Sequence, residues 1–338
     1  MYYHNNDVRI QEMPKPAIGA KEILVKAMAC GVCGSDVLEW YRVKKAPLVL
    51  GHEMAGIVEE VGSEVKKYQP GQRVFVSHHV PCDSCAYCLN NHHTACETLH
   101  TTNFYPGGFS EYVRIPGINV EKGVFVLPEQ ISFEEATFIE PLATVVRAQR
   151  LMGIQKNHSV LVLGCGIAGL LHVKLARAKG ARVLGTNRGE FRRKTAQKCG
   201  AEVINGNLDV PSEVKKILGK GADFVIDCAG SLVTAKQALQ SVDRGGTVLF
   251  FAVPTPGTDL PIPLNEFWRN EVKIMTSYGA VPYDLQESIE LIRSGKIKVN
   301  DMITHMLPLE KAQEAFRLTA EAKDSLKVII QPNGRVGG

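Results

Sequence analysis

The stretch from Ser159 to Leu170, Ser-Val-Leu-Val-Leu-Gly-Cys-Gly-Ile-Ala-Gly-Leu, constrains the fold more than any other part of the chain. An apolar run leads straight into G-x-G-x-x-G, and Leu-Leu-His-Val-Lys-Leu-Ala-Arg-Ala-Lys continues with helical character to Gly180. In such a pattern Gly164 permits a tight turn, Gly166 lets a pyrophosphate approach the backbone, and Gly169 lets helix pack on strand. Ile167 and Ala168 then open the helix, whose unpaired N–H groups hold phosphate. The motif alone is weak evidence. Here a strand precedes it, a helix follows it, and a second strand reads at Ala181–Thr186, which together predict a dinucleotide-binding parallel sheet. The run is too short and too broken by glycine for a membrane span, which needs about 20 apolar residues.

The end of the second strand bears on which dinucleotide binds. An acid there would bind a ribose 2′-hydroxyl and repel a 2′-phosphate. This chain has Asn187-Arg188, with Arg192 and Arg193 one helical turn on. Guanidinium groups bind phosphate through charge-assisted hydrogen bonds, so NADP is favoured over NAD. The bland alternative is a solvated start to a helix spanning Gly189 to Cys199. Further strands read at Glu202–Asn205, Asp223–Asp227 and Thr247–Val253, and helices at Pro211–Leu218 and Thr234–Val242. This alternation predicts a sheet covered on both faces. Cys228, after Asp227, and Phe251, Ala252 and Val253 end strands on the side where ligands bind.

Four cysteines, Cys82, Cys85, Cys88 and Cys96, are spaced C-x2-C-x2-C-x7-C. Four thiolates this close can close a tetrahedron around one structural Zn²⁺. Disulfides belong to secreted chains, and the start MYYHNNDVRIQEMP carries neither the basic nor the apolar segment of a secretory leader. A reducing, cytoplasmic location is therefore expected. His92 and His93 lie in the same lobe and offer a minor alternative to one thiolate.

A second donor set is dispersed. Cys33 stands in Gly-Val-Cys-Gly-Ser-Asp, His52 in Gly-His-Glu, and Glu140 in Phe-Ile-Glu-Pro-Leu. One Cys, one His and one carboxylate would leave a tetrahedral position open, as a catalytic zinc requires. Glu140 sits in a mostly apolar run, where an unpaired carboxylate is costly unless a cation offsets it. A solvent-facing helix N-terminal glutamate is an equal reading of Glu140 alone. Cys33 and His52 are individually weak, since a lone Cys is usually core. Cys30 reads as buried on a strand at 23–30. Glu53, if on a strand with His52, would point to the opposite face and act as a neighbour of the site rather than a permanent ligand.

At 338 residues two domains are expected, and 45% hydrophobic with 22% charged residues suits a soluble chain. The net charge of +4 is spread as short pairs such as Lys44-Lys45 and Lys66-Lys67, which gives nucleic acid no patch to bind. The first 140 or so residues are punctuated by Gly and Pro with short strand-like runs, indicating an irregular β-rich domain. The last 60 or so, with a helix at 310–320 and a strand at 326–330, are expected to rejoin it.

Cys33-Gly-Ser-Asp, Gly51-His52-Glu53, the four-cysteine lobe, Glu140-Pro141-Leu142 and the glycine motif occur in the order of the zinc-containing medium-chain alcohol dehydrogenases. The Glu-Pro-Leu segment, Gly107-Gly-Phe-Ser-Glu-Tyr112 and Ile303-Thr-His-Met-Leu-Pro-Leu-Glu310 resemble the polyol (sorbitol-type) branch. The resemblance spans essentially the whole chain. It implies an α/β architecture: a Rossmann doubly wound sheet over 141–277 and a discontinuous GroES-like catalytic domain over 1–140 and 278–338, with the zinc lobe at 82–96. It further implies two Zn²⁺ per chain, a homodimer or homotetramer, and oxidation of a secondary alcohol, such as a polyol or sugar alcohol, to a ketone by hydride transfer. Cys33, His52 and Glu140 become ligands of one zinc, Ser35 a proton-relay hydroxyl, and Asp36 an orienting partner of His52.

Three departures limit what the resemblance carries. The family's proton-passing His is here Leu38, a substrate-side Tyr is Glu39, and a substrate-binding Arg is Ser277. Glu39 hints at a polyhydroxylated or cationic substrate. Two other classes remain on the residues alone: a zinc-independent reductase of enones or quinones, which has no need of Cys33, His52 and Glu140, and a non-catalytic dinucleotide sensor.

Overall fold

The strand Ser159–Leu163 is buried at every position and lies inside a six-stranded sheet. The computed structural model describes residues 1–252 and 254–334. The sheet runs in the order Glu202–Asn205, Arg182–Asn187, Ser159–Leu163, Ala222–Asp227, Val242–Phe250, Lys273–Thr276, with every neighbouring pair parallel. Counted along the chain this is 3-2-1-4-5-6, the doubly wound order of dinucleotide-binding domains. Helices Ile167–Ala178, Glu190–Lys198, Val210–Leu218 and Leu232–Ser241 connect successive strands. Strands covered on both faces must be apolar throughout rather than alternating, and Leu161, Leu163, Leu184, Val225 and Val248 accordingly share one core. The chain makes its sharp turn from first strand to first helix at Gly164, φ +93°. A Cβ on Gly169 would fall 1.9 Å from the Gly164 carbonyl oxygen, so helix and strand approach as they do only because that side chain is absent.

The chain forms two compact units, residues 1–143 with 280–338, and residues 144–279. The crossings fall a short step past the positions expected from the sequence. The discontinuous unit is built on Ile23–Gly31, a nine-residue strand buried almost throughout. It pairs antiparallel with Glu53–Val61 along one side. Its other side is shared by Tyr112–Ile115 and the returning strand Lys327–Gln331. Arg73–Val76, Val124–Val126 and Ile303–Pro308 complete seven strands. The final segment thus adds two strands to a sheet begun by the N-terminal third. Ile23, Val25, Met54, Val58, Val74 and Val113 form its core; each such side chain taken from water contributes roughly 1.5–3 kcal/mol. Among the described residues, no helix is long and apolar enough to cross a membrane.

Candidate active site

A single 3-10 turn, Gly34–Val37, sets the first part of the site, with Cys33 as its N-cap. Cys33 Sγ accepts the Ser35 N–H at 3.4 Å, and Asp36 Oδ2 accepts the Cys33 N–H at 3.1 Å. This reciprocal cap fixes a thiol and a carboxylate side by side. Asp36 is fully buried, and its Oδ1 lies 3.4 Å from His52 Nδ1. His52 precedes the strand Glu53–Val61 by one residue, so the two-face alternation of a strand does not separate it from Glu53. The donor atoms of Cys33, His52 and Glu53 all lie within 4.8 Å of one another. The opposite-face reading required both residues on the strand, and His52 lies just outside it.

Glu53 already has a cation. Lys327, on the last strand, pairs with Glu53 Oε2, both residues are 1% exposed, and the ammonium lies 5.0 Å from the Phe138 ring centre. Glu140, in the first turn of helix Ile139–Met152, stands outside the 4.8 Å group, in the fields of His52 and Lys327. Desolvation pushes its carboxyl pKa up to about 7, the positive field of His52 only partly opposing. Burial works against a charged His52 too, yet its interactions with Asp36 and Cys33 outweigh it and hold its pKa well above the usual value. Cys33, His52 and Glu53 therefore bring a thiol, an imidazole and a carboxylate together, with Glu140 outside that group. That donor set fits a divalent zinc held by Cys33, His52 and one carboxylate. Glu140, whose carboxyl burial pushes up to about 7, gains more from the ion than Glu53, which Lys327 already pairs.

Two residues near this turn were not singled out by the sequence. Arg42 donates to the Ser35 carbonyl (2.9 Å), to Ser35 Oγ (3.1 Å) and to Asp36 Oδ1 (3.3 Å). His78 stacks 4.9 Å from the His52 ring and 3.7 Å from that of His79. Glu39, expected near the substrate, instead accepts the Asn5 N–H at 3.1 Å and lies 3.9 Å from His4 Nδ1. It is held by the N-terminal hairpin, and the substrate reading of Glu39 loses its basis.

The cysteine lobe can be tested by distance. Sulfur separations of 3.5 Å (Cys82–Cys96), 3.6 Å (Cys85–Cys88) and 4.0 Å (Cys82–Cys88) rule out S–S bonds between those pairs. A tetrahedron of Zn–S bonds of about 2.3 Å has an edge of about 3.8 Å, which these spacings match. The Ser84 and Cys85 N–H groups donate to Cys82 Sγ and bring its pKa down to about 5, preparing a thiolate. His93 faces Asp83 at 3.9 Å rather than the sulfurs.

In the other unit, the glycine loop leaves a cradle. A Cβ on Gly166 would meet only the Arg192 guanidinium, at 3.5 Å, so the space over the loop is open to a phosphate. Ile167 and Ala168 open the helix and are part-exposed. At the end of the second strand, Asn187 Oδ1 accepts the Cys165 N–H at 3.4 Å and its amide donates to Gly189 O at 3.3 Å. Arg188 is exposed, while Arg193 turns back onto the Asn187 carbonyl at 3.0 Å. The expected 2′-phosphate cations thus divide into Arg188 outside, Arg192 over the loop, and Arg193 as a strut. Cys228, Phe251 and Ala252 gather around Asp227: the Cys228 N–H reaches Leu163 O at 2.8 Å, and the Phe251 and Ala252 N–H groups both reach Asp227 O at 3.0 Å. Val253 lies outside the described residues.

Two family profiles match the chain: "Alcohol dehydrogenase GroES-like domain" over residues 19–127 and "Zinc-binding dehydrogenase" over 168–294. Sorbitol dehydrogenase of Bacillus subtilis (strain 168) is 31% identical, with 98% of this chain and 96% of that protein aligned. L-idonate 5-dehydrogenase of Vitis vinifera is 32% identical over 96% of this chain and 91% of its own. Among solved structures, a zinc-binding dehydrogenase from Sinorhizobium meliloti 1021 bound to NADP superposes with a TM-score of 0.85 at 28% identity, covering 98% of this chain and 97% of that one. Fold order, motif order and these likenesses agree: the chain is an oxidoreductase and belongs to the zinc-binding, medium-chain alcohol dehydrogenase family, among its polyol and alcohol dehydrogenases.

Proposed function

We propose that the protein oxidises a secondary alcohol, a polyol or sugar alcohol, to the ketone, with zinc at Cys33, His52 and Glu140 and with NADP preferred as hydride acceptor. The observation that carries this is the cluster of Cys33, His52 and Glu53 donor atoms within 4.8 Å of one another, with the Glu140 carboxyl, pushed up by burial to about 7, in the field of His52. When bound, zinc supplies Lewis acidity that makes a nearby hydroxyl easier to deprotonate, and the nicotinamide supplies the hydride acceptor. The chain's own groups do the rest. Asp36 holds His52 by Nδ1 and leaves the other ring nitrogen for the metal. Lys327 holds Glu53 against the site, and Ser35 Oγ stands 3.4 Å from Cys33 Sγ, beside where a substrate oxygen would sit. The four-cysteine lobe takes a second, structural zinc.

The relatives support a polyhydroxylated substrate, since two are named for sorbitol and L-idonate oxidation. A cytoplasmic homodimer or homotetramer completes the reading. NADP preference rests on the missing acid at Asn187 and on Arg188 and Arg192. A zinc-independent reductase would have no use for the Cys33–His52–carboxylate cluster.

The test is zinc content together with turnover. Glu140→Gln should bind one zinc per chain instead of two and lose activity, whereas Glu53→Gln should keep two. A Glu140→Gln protein that retains both ions and full turnover would remove Glu140 from the site.

A further inference from the structure

The first turn of the four-cysteine lobe uses a backbone conformation that its residue does not favour. Asp83 follows Cys82 with φ +63°, in the left-handed region where a residue other than glycine needs support. The turn brings the Ser84 and Cys85 N–H groups, at 3.5 and 3.3 Å, onto Cys82 Sγ. Successive N–H groups arranged in this way form a concavity that suits an anion. The support comes from outside the lobe. Lys122, the last residue of helix Gly117–Lys122, donates from Nζ to the Cys82 carbonyl at 2.9 Å and to Asp83 Oδ2 at 2.6 Å. It holds the peptide group before the left-handed residue and that residue's own side chain at once. The helix that presents Lys122 is fixed at the other end of the same segment, where buried Asn119 donates to the Ser77 and His78 carbonyls at 3.0 and 2.9 Å. On its far side Asp83 Oδ1 faces His93 Nε2 at 3.9 Å, beyond hydrogen-bond reach.

We propose that Lys122 is a positioning residue for the metal of the four-cysteine lobe: by clamping the Cys82 carbonyl and Asp83 it keeps the left-handed turn closed and both N–H groups on Cys82 Sγ, which slows loss of the ion. The inference rests on the structural-zinc reading above. Groups that orient a ligand from behind govern how tightly the metal is kept. Cys82 stays aimed at the ion while its sulfur is held by two backbone donors, and it swings away when the turn opens. Asp83 is half exposed, and a pair of that kind adds little to the stability of the whole fold. The effect of Lys122 therefore belongs in metal retention.

The test loads the full chain with Co²⁺, whose visible absorption distinguishes a four-thiolate site from one with a single thiolate. Decay of the four-thiolate bands is then followed in excess EDTA for the wild type, Lys122→Met, Asp83→Gly and the pair. Lys122→Met should release that ion about 10-fold faster than the wild type, with the far-ultraviolet circular dichroism before mixing unchanged. Glycine takes the left-handed turn without strain, so in the Asp83→Gly background the same replacement should speed release less than about 3-fold. Release from Lys122→Met within about 2-fold of the wild type overturns the proposal. So does an undiminished acceleration in the Asp83→Gly background, which would assign the effect to the field of the ammonium on the thiolates rather than to the turn. A wild type without four-thiolate bands would remove the structural-metal reading, and the role of Lys122 with it.

Discussion

Replacing Lys327 with Met probes a deeply buried ion pair in the discontinuous unit. The side chain keeps its length and loses its ammonium, leaving Glu53 without its partner at 1% exposure. The site is built around this pair. A Cβ on Gly31 would fall 2.3 Å from Glu53 Oε2 and 2.6 Å from Lys327 Nζ, so the strand is kept bare where the two charges meet. Breaking a buried pair from one side costs about 3–5 kcal/mol, because the remaining ion is uncompensated. For a unit of this size that is a fall in Tm of about 6–20 °C. The chain has two tryptophans. Trp268, in the other unit and 80% exposed, can be changed to Phe so that Trp40 alone reports unfolding of this one. In that background Lys327→Met should show the full drop, and Glu53→Gln/Lys327→Met should recover most of it, since two neutral side chains leave no orphaned charge. A Lys327→Met protein within about 1 kcal/mol of its parent would refute the reasoning, as would a double variant no more stable than the single one.

Two further outcomes follow from the dinucleotide-binding unit. His172 is fully buried, and burial pushes its imidazole down to about 3. Its neutral form contributes stability that is complete above the unfolded pKa of about 6.5 and is lost as the pH falls toward the folded value, about 2 kcal/mol of it by pH 5. Urea midpoints at pH 7 and pH 5 should therefore converge in His172→Met relative to the wild type; equal acid losses in both would contradict the assignment. Replacing Arg188 with Asp should raise the NADP⁺ KM at least about 10-fold while sparing NAD⁺; parallel changes for both cofactors would show that Arg188 does not read the 2′-phosphate.

The features readable from the sequence were those whose signal is local. Gly164, Gly166 and Gly169 lie within six residues of one another, and the four cysteines within one lobe, so their spacing and flanking elements were enough to make them candidates. Strand and helix alternation indicated a parallel sheet covered on both faces, and the doubly wound architecture came with the family resemblance; the six-stranded sheet agrees with both. What escaped was set by distance along the chain. Lys327 reaches Glu53 across 274 positions, and its one local mark is a lysine set in the apolar run Leu326-Lys327-Val328-Ile329-Ile330. Arg42 escaped because a four-residue helix turns it back onto Ser35, which periodicity does not register at that length. Glu39 was misjudged for the converse reason. It is close to Cys33 in sequence, but its carboxylate is held by Asn5 and His4. The pairing of Asp36 with His52 was anticipated through the family resemblance, and the two atoms lie 3.4 Å apart.

The most direct measurement is reduced-cofactor absorbance across polyols, sugar acids, amino alcohols and simple secondary alcohols, with NADP⁺ and NAD⁺ in parallel and before and after treatment with a chelator. The account predicts turnover on polyhydroxylated secondary alcohols, faster with NADP⁺, abolished when the metal is stripped and restored by Zn²⁺. Turnover that survives complete removal of zinc, or cofactor binding with no alcohol oxidised, would contradict it.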